Sequence, residues 1–245
     1  MKKLALFVEG KTEQLFALRL LQEMAGRHRL SYRVDQGSGG ATECRCWQQV
    51  LVGGPPAPEF FVLVYNCGND SRVLSDICEQ YQSLKRAGYS CVVGLSDLYP
   101  QPPSALDERR RLIKEHLKRT GVLAQLVIAV REIEAWFLAE ERHYAKVHEG
   151  LDDRVVASVL GSPVAECGVE HVAHPSEKLD EVYRRVGLSY LKGDGRKTGA
   201  KIARTVEALD IENLVVSVAP RVSALQEFCG AVEEFLTMHP ASLGS

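Results

Sequence analysis

The sequence predicts an α/β fold in which a parallel sheet with flanking helices is followed by a smaller, mainly helical C-terminal part. Two observations predict this class. Along residues 1–140, short apolar runs of strand length alternate with patterns of helical spacing. These apolar runs are continuous rather than alternating, as is typical of strands in a sheet that helices cover on both faces.

Four strands are predicted, and a helical pattern follows each of the first three. The strands are Leu4–Val8, Phe60–Tyr65, Cys91–Asp97 and Leu123–Val130. The helices are predicted from Leu15 to Met24, from Val73 to Ala87 and from Ala105 to Arg119. Residues 35–58 contain the segments GSGG and GGPPAP and are predicted to be loop. Strand, helix and strand at this spacing form parallel βαβ units.

The 245 residues divide into two predicted parts. Residues 1–140 form the α/β domain, and residues 141–245 form a mainly helical region that completes the functional site. Helices in the second part are predicted around Arg154–Leu160, Ser176–Arg185, Thr198–Leu209 and Val222–Met238.

Composition and cysteine usage predict a cytoplasmic protein. The formal net charge is −2, which argues against a broadly cationic nucleic-acid coat protein. The seven cysteines are odd in number and lack zinc-ribbon spacing, so we expect free thiols in a reducing compartment. The first apolar stretch is too short for a signal peptide, and no run approaches the roughly 18 apolar residues of a membrane span.

Acidic residues follow three of the four predicted strands. Glu9 follows the first strand, Asp97 ends the third, and Glu132 and Glu134 follow the fourth. Glu13 comes four residues after Glu9, in the first turn of the next helix. Because functional groups gather at the carboxyl ends of parallel strands, we expect Glu9 and Asp97 to lie at neighbouring strand ends. Carboxylate oxygens are ligands for Mg²⁺ and Mn²⁺, so the pattern predicts a divalent-metal site.

Two of these acids, Glu13 and Asp97, also have a structural interpretation. Glu13 has the position of a capping-box residue, and Asp97 has the position of an aspartate that caps a turn. Glu132 and Glu134 are two residues apart and cannot share one helical face, so the sequence leaves open which of them faces the site.

Several other kinds of catalytic site are excluded by the sequence. The segment GKT is not a phosphate-binding P-loop, because Ala5 stands where the first glycine of that motif is required. No histidine has the spacing of the HExxH zinc motif, and no GxSxG nucleophile motif is present.

Six short segments together carry a resemblance to a known family. They are VEGKTE (8–13), YNCGNDS (65–71), SDLYP (96–100), REIEAWFLA (131–139), HPSEKLD (174–180) and YLKGDGRKTG (190–199). They resemble the Toprim domain, which topoisomerases, primases and several nucleases share. Within it, they look closest to a Toprim-like branch, often linked to bacterial defence loci, that is similar to the overcoming-lysogenization-defect (OLD) nucleases.

The resemblance implies a divalent-metal-dependent nuclease with a Toprim/Rossmann-like sheet and a role as an anti-phage defence effector. Its implied ligands for Mg²⁺ or Mn²⁺ are Glu9, Glu13, Asp97 and an acid of the Glu132–Glu134 pair. Nucleic acid is the implied partner. DNA or RNA, a partner ATPase and a homo-oligomer are all left open.

The sequence departs from the Toprim pattern at one position. That pattern has a second aspartate two residues after the first, whereas Leu98 and Tyr99 follow Asp97 here. An alternative therefore stays open, in which the chain is a catalytically degenerate binding or regulatory module that keeps the Toprim fold.

A basic segment from Tyr190 to Lys201 is the predicted contact with nucleic acid. It contains three glycines, which make its backbone permissive, and a single acid. Its cations are Lys192, Arg196, Lys197 and Lys201. We expect this loop to close over a phosphate, with Lys197 as the lysine that assists catalysis in the nuclease relatives. An ordinary solvated loop is the alternative.

We expect charge reversal at Lys197 to weaken nucleic-acid binding and to make its salt dependence shallower, because one phosphate contact is lost. Binding titrations over a range of salt concentrations measure both effects. An affinity and a salt slope equal to those of the parent protein would contradict the expected phosphate contact.

Overall fold

The computed structural model describes residues 1–40, 43–69, 72–190 and 196–237, with the side chains of residues 196–198 left undescribed. Six strands are present in these ranges. They are β1 (Lys2–Val8), β2 (Leu30–Ser38), β3 (Cys46–Gly53), β4 (Phe60–Asn66), β5 (Cys91–Asp97) and β6 (Gln125–Ala129). They form one sheet in the order β3-β2-β4-β1-β5-β6. Strands β1, β2, β4 and β5 run parallel, and β3 is antiparallel to β2.

Helices precede, connect and follow these strands. They are α1 (Lys11–Ala25), α2 (Val73–Arg86), α3 (Leu106–Thr120), α4 (Glu134–Ala139), α5 (His143–Val147), α6 (Asp153–Leu160), α7 (Pro175–Arg184), α8 (Arg196–Ala208), α9 (Ile211–Asn213) and α10 (Ser223–Thr237). A π-helical segment, Leu214–Val218, continues α9. Within the described ranges, none of the helices has both the length and the apolar character needed to cross a membrane.

The predicted α/β class is confirmed, but two strands were not predicted. Residues 35–58 were expected to be loop, and this is wrong over β3 and the end of β2. The register of these two strands skips Val50, which is therefore an extra residue, a β-bulge, on β3. Val50, Leu51 and Val52 are 51%, 41% and 59% exposed. With a bulge and no covered face, β3 lacks the alternation that marks a half-buried strand.

The described chain forms two compact units that interleave along the sequence. The first comprises the described residues within 1–96, 107–128 and 227–237, and contains nearly all of the sheet with α1, α2 and α3. The second comprises residues 97–106 and 129–226, and contains α4 to α9. The predicted division at residue 140 does not separate these units, because most of α10 belongs to the first. The second unit begins at Asp97, which is also the last residue of β5.

The central strand β1 is buried throughout its apolar run, which explains why that run is continuous. Each residue from Leu4 to Val8 is at most 1% exposed. The ring of Phe7 stacks on that of Tyr65 in β4, with 4.5 Å between centroids. Phe7 is level with Gly94 in β5, where a Cβ would lie only 2.8 Å from Ile77 of α2. A glycine at this position therefore lets α2 pack closely on the sheet.

A buried charge cluster ties the chain before β3 to α2 and to the end of β4. Asp76 is fully buried, and its carboxylate pairs with Arg45 at 2.5 Å and with Arg72 at 2.8 Å. The Nη2 of Arg45 also donates to the carbonyl of Cys67, directly after β4. The cluster thus holds the carboxyl end of β4 in place, next to that of β1.

We expect Asp76→Asn to destabilise the fold by about 3 kcal/mol, because it leaves the buried guanidinium of Arg45 without its counter-charge. It also leaves Arg72 with only its longer contact to Glu79, at 3.4 Å. The free energy of unfolding in urea measures this loss. Glu108→Gln is the control, since the Glu108–Arg111 pair is exposed and contributes little. Equal, small effects of the two substitutions would show that the buried cluster does not support the fold.

Candidate metal centre

Two acids lie at one edge of the sheet because β1 and β5 are parallel neighbours. Val8, the last residue of β1, is level with Leu95 of β5. Glu9 follows β1 directly, and Asp97 ends β5. The expectation that these two acids lie at neighbouring parallel-strand ends is confirmed.

Glu13 is turned back towards this strand end by the start of α1. The backbone N–H of Gly10, the N-cap residue, donates to Oε2 of Glu13 at 2.9 Å. A Cβ on Gly10 would lie 3.3 Å from that same oxygen, so a larger residue would crowd the carboxylate. Glu13 therefore makes the capping contact that its position predicts, and this contact directs its side chain back along α1 towards Gly10.

The carboxylates of Glu9, Glu13 and Asp97 converge. One oxygen from each lies within 4.8 Å of the corresponding oxygens of the other two. Glu9 and Glu13 are buried, and Asp97 is half-buried. Ligand atoms bound to one Mg²⁺ at about 2.1 Å lie roughly 3–4 Å apart, so small side-chain rotations would bring these three onto one ion.

The chemistry of these residues fits a hard divalent cation. The donor set consists of carboxylate oxygens, which suit Mg²⁺ and Mn²⁺ better than zinc. The adjacent Gln14 is 1% exposed, and its Nε2 has no hydrogen-bond partner among the described residues. A buried amide donor without a partner is expected to bind a water or an anion oxygen. Glu9, Glu13 and Asp97 would hold the cation.

A polar network continues along the same edge from β1 to β4 and β2. Asn66, the last residue of β4, donates through Nδ2 to Oε1 of Gln14 at 2.9 Å. Its Oδ1 accepts from the backbone N–H of Gly68 and from Nε2 of Gln36. Gln14 and Asn66 were not among the predicted site residues. The sequence signal that could have identified them is their position, since Asn66 is a polar residue at a strand end and Gln14 lies in the first turn of a helix.

Asp97 also holds the chain that follows β6. Its Oδ1 accepts from the backbone N–H of Ile133 at 3.1 Å. Ile133 lies between Glu132 and Glu134, so this bond ties the predicted Glu132–Glu134 segment to Asp97. The sequence offered Asp97 as a cap for the turn that follows it, whereas this bond instead fixes a segment distant in sequence.

Glu132 and Glu134 have partners of their own, and neither belongs to the group of three carboxylates. Glu132 precedes α4, and its carboxylate accepts from the backbone N–H and the hydroxyl of Ser176 at the start of α7. Glu134 begins α4, and its Oε1 accepts from the hydroxyl of Tyr190 at 2.6 Å. Their roles as metal ligands stay predictions.

The basic segment from Tyr190 to Lys201 is a loop only in part. Helix α8 begins at Arg196, so Arg196, Lys197 and Lys201 lie on a helix, which corrects the predicted loop. Buried Ile202 and Val206, four residues apart, give α8 an apolar stripe that stabilises it despite its glycine.

The predicted nucleic-acid contacts of this segment stay predictions. The Nζ of Lys201 donates to the hydroxyl of Ser189 at 3.1 Å. Lys192 lies outside the described residues, as do the side chains of Arg196 and Lys197.

Two further side chains at this edge bear on its chemistry. Lys11, the exposed first residue of α1, lies between Glu9 and Glu13 in sequence, and partial burial lowers the pKa of its ammonium group. The sequence analysis considered Lys11 only within the rejected P-loop. Cys67 follows β4 and is buried, and burial raises the pKa of its thiol. Cys67 therefore does not supply a thiolate nucleophile at neutral pH.

Comparison of this chain with protein-family models, with curated proteins and with solved structures finds no match. Inference about its function therefore depends on the residues of the site.

We expect Glu13→Gln to stabilise the metal-free protein by about 1 kcal/mol, because it removes one of three mutually repelling carboxylates. The glutamine oxygen can still accept from Gly10, so the helix cap is kept. The same substitution should abolish the rise in melting temperature that Mn²⁺ causes in the parent protein. Thermal melts with EDTA and with Mn²⁺ measure both effects. A variant that is destabilised without metal and still responds to Mn²⁺ would assign Glu13 to capping alone.

Proposed function

We propose that this chain is a divalent-metal-dependent nuclease that hydrolyses phosphodiester bonds. The observation that carries the proposal is the convergence of Glu9, Glu13 and Asp97 at the carboxyl edge of parallel strands. The segments that resemble the Toprim domain support the same reading, since they contain these three acids.

The chain's own residues have distinct roles in this proposal. Glu9, Glu13 and Asp97 would hold Mg²⁺ or Mn²⁺, which neutralises phosphate charge and makes a coordinated water more acidic. The amide of buried Gln14 would donate to a phosphate oxygen or to a water. Lys11 would face the negative charge that develops on the phosphate, a role that the sequence assigned to Lys197.

The proposal extends to the setting in which the enzyme works. The seven cysteines, all within the described ranges, form no disulfide, which supports a reducing, cytoplasmic location. By the resemblance to the defence-linked branch, the proposal includes a role as an anti-phage effector, and a partner ATPase stays open.

A second candidate function is a binding or regulatory module that has lost its chemistry. The contacts of two of the acids favour it. Glu13 accepts from the N–H of Gly10 and Asp97 accepts from that of Ile133, so both carboxylates also stabilise the local backbone. A structural role alone would account for the positions of Glu13 and Asp97, but it gives no reason for the carboxylate of Glu9 to converge with theirs.

We expect Glu9→Gln to reduce Mn²⁺-dependent cleavage at least about 100-fold, because a ligand charge is removed while the shape of the side chain is kept. Cleavage of fluorescent single- and double-stranded DNA and RNA in Mn²⁺ and in Mg²⁺ measures the loss. A thermal melt of the variant establishes that it folds.

Glu23→Gln, on α1, is the matched control, since Glu23 pairs with Arg19 at the surface. It should cleave like the parent protein. Full activity in Glu9→Gln would exclude Glu9 as a ligand. Nucleic-acid binding by the parent without cleavage in either metal would favour the regulatory module.

A further inference from the structure

Helix α3, which follows β5 in the chain, carries a local excess of positive charge. Its 15 residues contain six Lys or Arg and three Asp or Glu, in a chain whose net charge is −2. Only Ile113 and Leu117 of this helix are buried, so most of the charge faces outwards. A helix whose charges were evenly paired would be an ordinary solvated face.

The charges of α3 are not evenly paired, because Arg111 alone pairs with two of the three acids of this helix. The guanidinium of Arg111 donates twice to Glu108, at 2.8 and 2.7 Å, and once to Glu115 at 2.6 Å. Among the described residues, neither Arg109 nor Arg119 forms an ion pair with a carboxylate. The Nη2 of Arg119 donates to Nδ1 of His116 at 3.2 Å. The other donors of its guanidinium and those of Arg109 are available to an external anion.

Arg109 and Arg119 line the same groove between α2 and α3. The groove has a volume of about 390 Å³, and His116 lies between the two arginines in sequence. The other lining residues are Leu74, Leu112, Ile113 and Glu115. Glu115 is the one acid among them, and its charge is matched by Arg111. The groove thus combines two available guanidinium groups with an apolar floor.

We propose that this groove, the α2–α3 groove, binds the phosphodiester backbone of a nucleic-acid strand. Guanidinium groups bind phosphate oxygens through paired hydrogen bonds. Arg109 and Arg119 are ten residues apart, about 15 Å along the helix axis, which lets them contact different phosphates of one strand. Leu112, 48% exposed, offers apolar surface between them to a sugar or a base.

This inference rests on the proposed function, for which it names a substrate-binding surface outside the metal centre. It involves none of the residues that would hold the metal. Binding can therefore be measured without metal and without cleavage, which separates the two proposals.

The test compares Arg109→Gln/Arg119→Gln with the parent protein in EDTA, by fluorescence anisotropy with single-stranded DNA and RNA at several salt concentrations. We expect the dissociation constant to rise at least about tenfold. The slope of log K against log salt should fall by about 1.4, since each lost phosphate contact with a single strand contributes about 0.7. Arg119→Gln alone should lower the slope by about 0.7.

The matched control is Arg27→Gln/Arg154→Gln, which removes two exposed arginines that do not line the groove. Its affinity and slope should equal those of the parent. Hydrogen exchange gives a second readout, because a bound strand should protect the amides of Leu106–Thr120.

A parent-like affinity and slope in the double variant would overturn the proposal, as would a parent protein that binds no nucleic acid at low salt. Arginine-dependent binding without any metal-dependent cleavage would uphold the groove while refuting the nuclease. Metal-dependent cleavage with unaltered KM in the double variant would refute the groove and leave the nuclease standing.

Discussion

The parallel pairing of β1 with β4 on one side and β5 on the other is the constraint on which the candidate site depends. In a parallel arrangement all carboxyl ends meet at one edge, so Glu9, Asn66 and Asp97 come together although about 90 residues separate the first from the last. The apolar run of β1 stabilises this arrangement by its complete burial. The site acids contribute little to that core, and their positions follow from the pairing of the strands.

Three converging carboxylates are unfavourable in free energy, and a few backbone N–H donors offset part of this. Buried carboxylates that lie close together repel one another and lose hydration. The fold offsets part of this cost with the N-terminal end of α1, whose dipole and Gly10 N–H favour negative charge, and with the Ile133 N–H at Asp97. A bound cation would stabilise this arrangement of carboxylates further. A sheet edge with only a structural role would not need three acids.

Sequence patterns predicted those parts of the structure that depend on local periodicity. The four continuous apolar runs predicted β1, β4, β5 and β6, and the acids at the ends of β1 and β5 predicted Glu9 and Asp97 as neighbours. Strand β3 escaped prediction because a bulge and exposed side chains remove its periodicity. Strand β2 is mostly buried or half-buried, but polar residues and a glycine interrupt its apolar pattern. The partners of Glu132 and Glu134 could not be predicted, since Ser176 and Tyr190 approach them only through tertiary packing. Gln14 likewise becomes informative only when its burial is known.

The bulge at Val50 affects whether strands of separate molecules of this protein can pair at the sheet edge. Strand β3 forms an edge of the sheet and exposes three consecutive apolar side chains, a combination that invites strands of other molecules to add on. The extra residue in the middle of β3 breaks the regular row of outward N–H and C=O groups. Deleting this one residue would restore an uninterrupted ladder and open the edge to chain-to-chain growth. The bulge thus disfavours pairing with other molecules at a strand to which no part of the candidate chemistry is assigned.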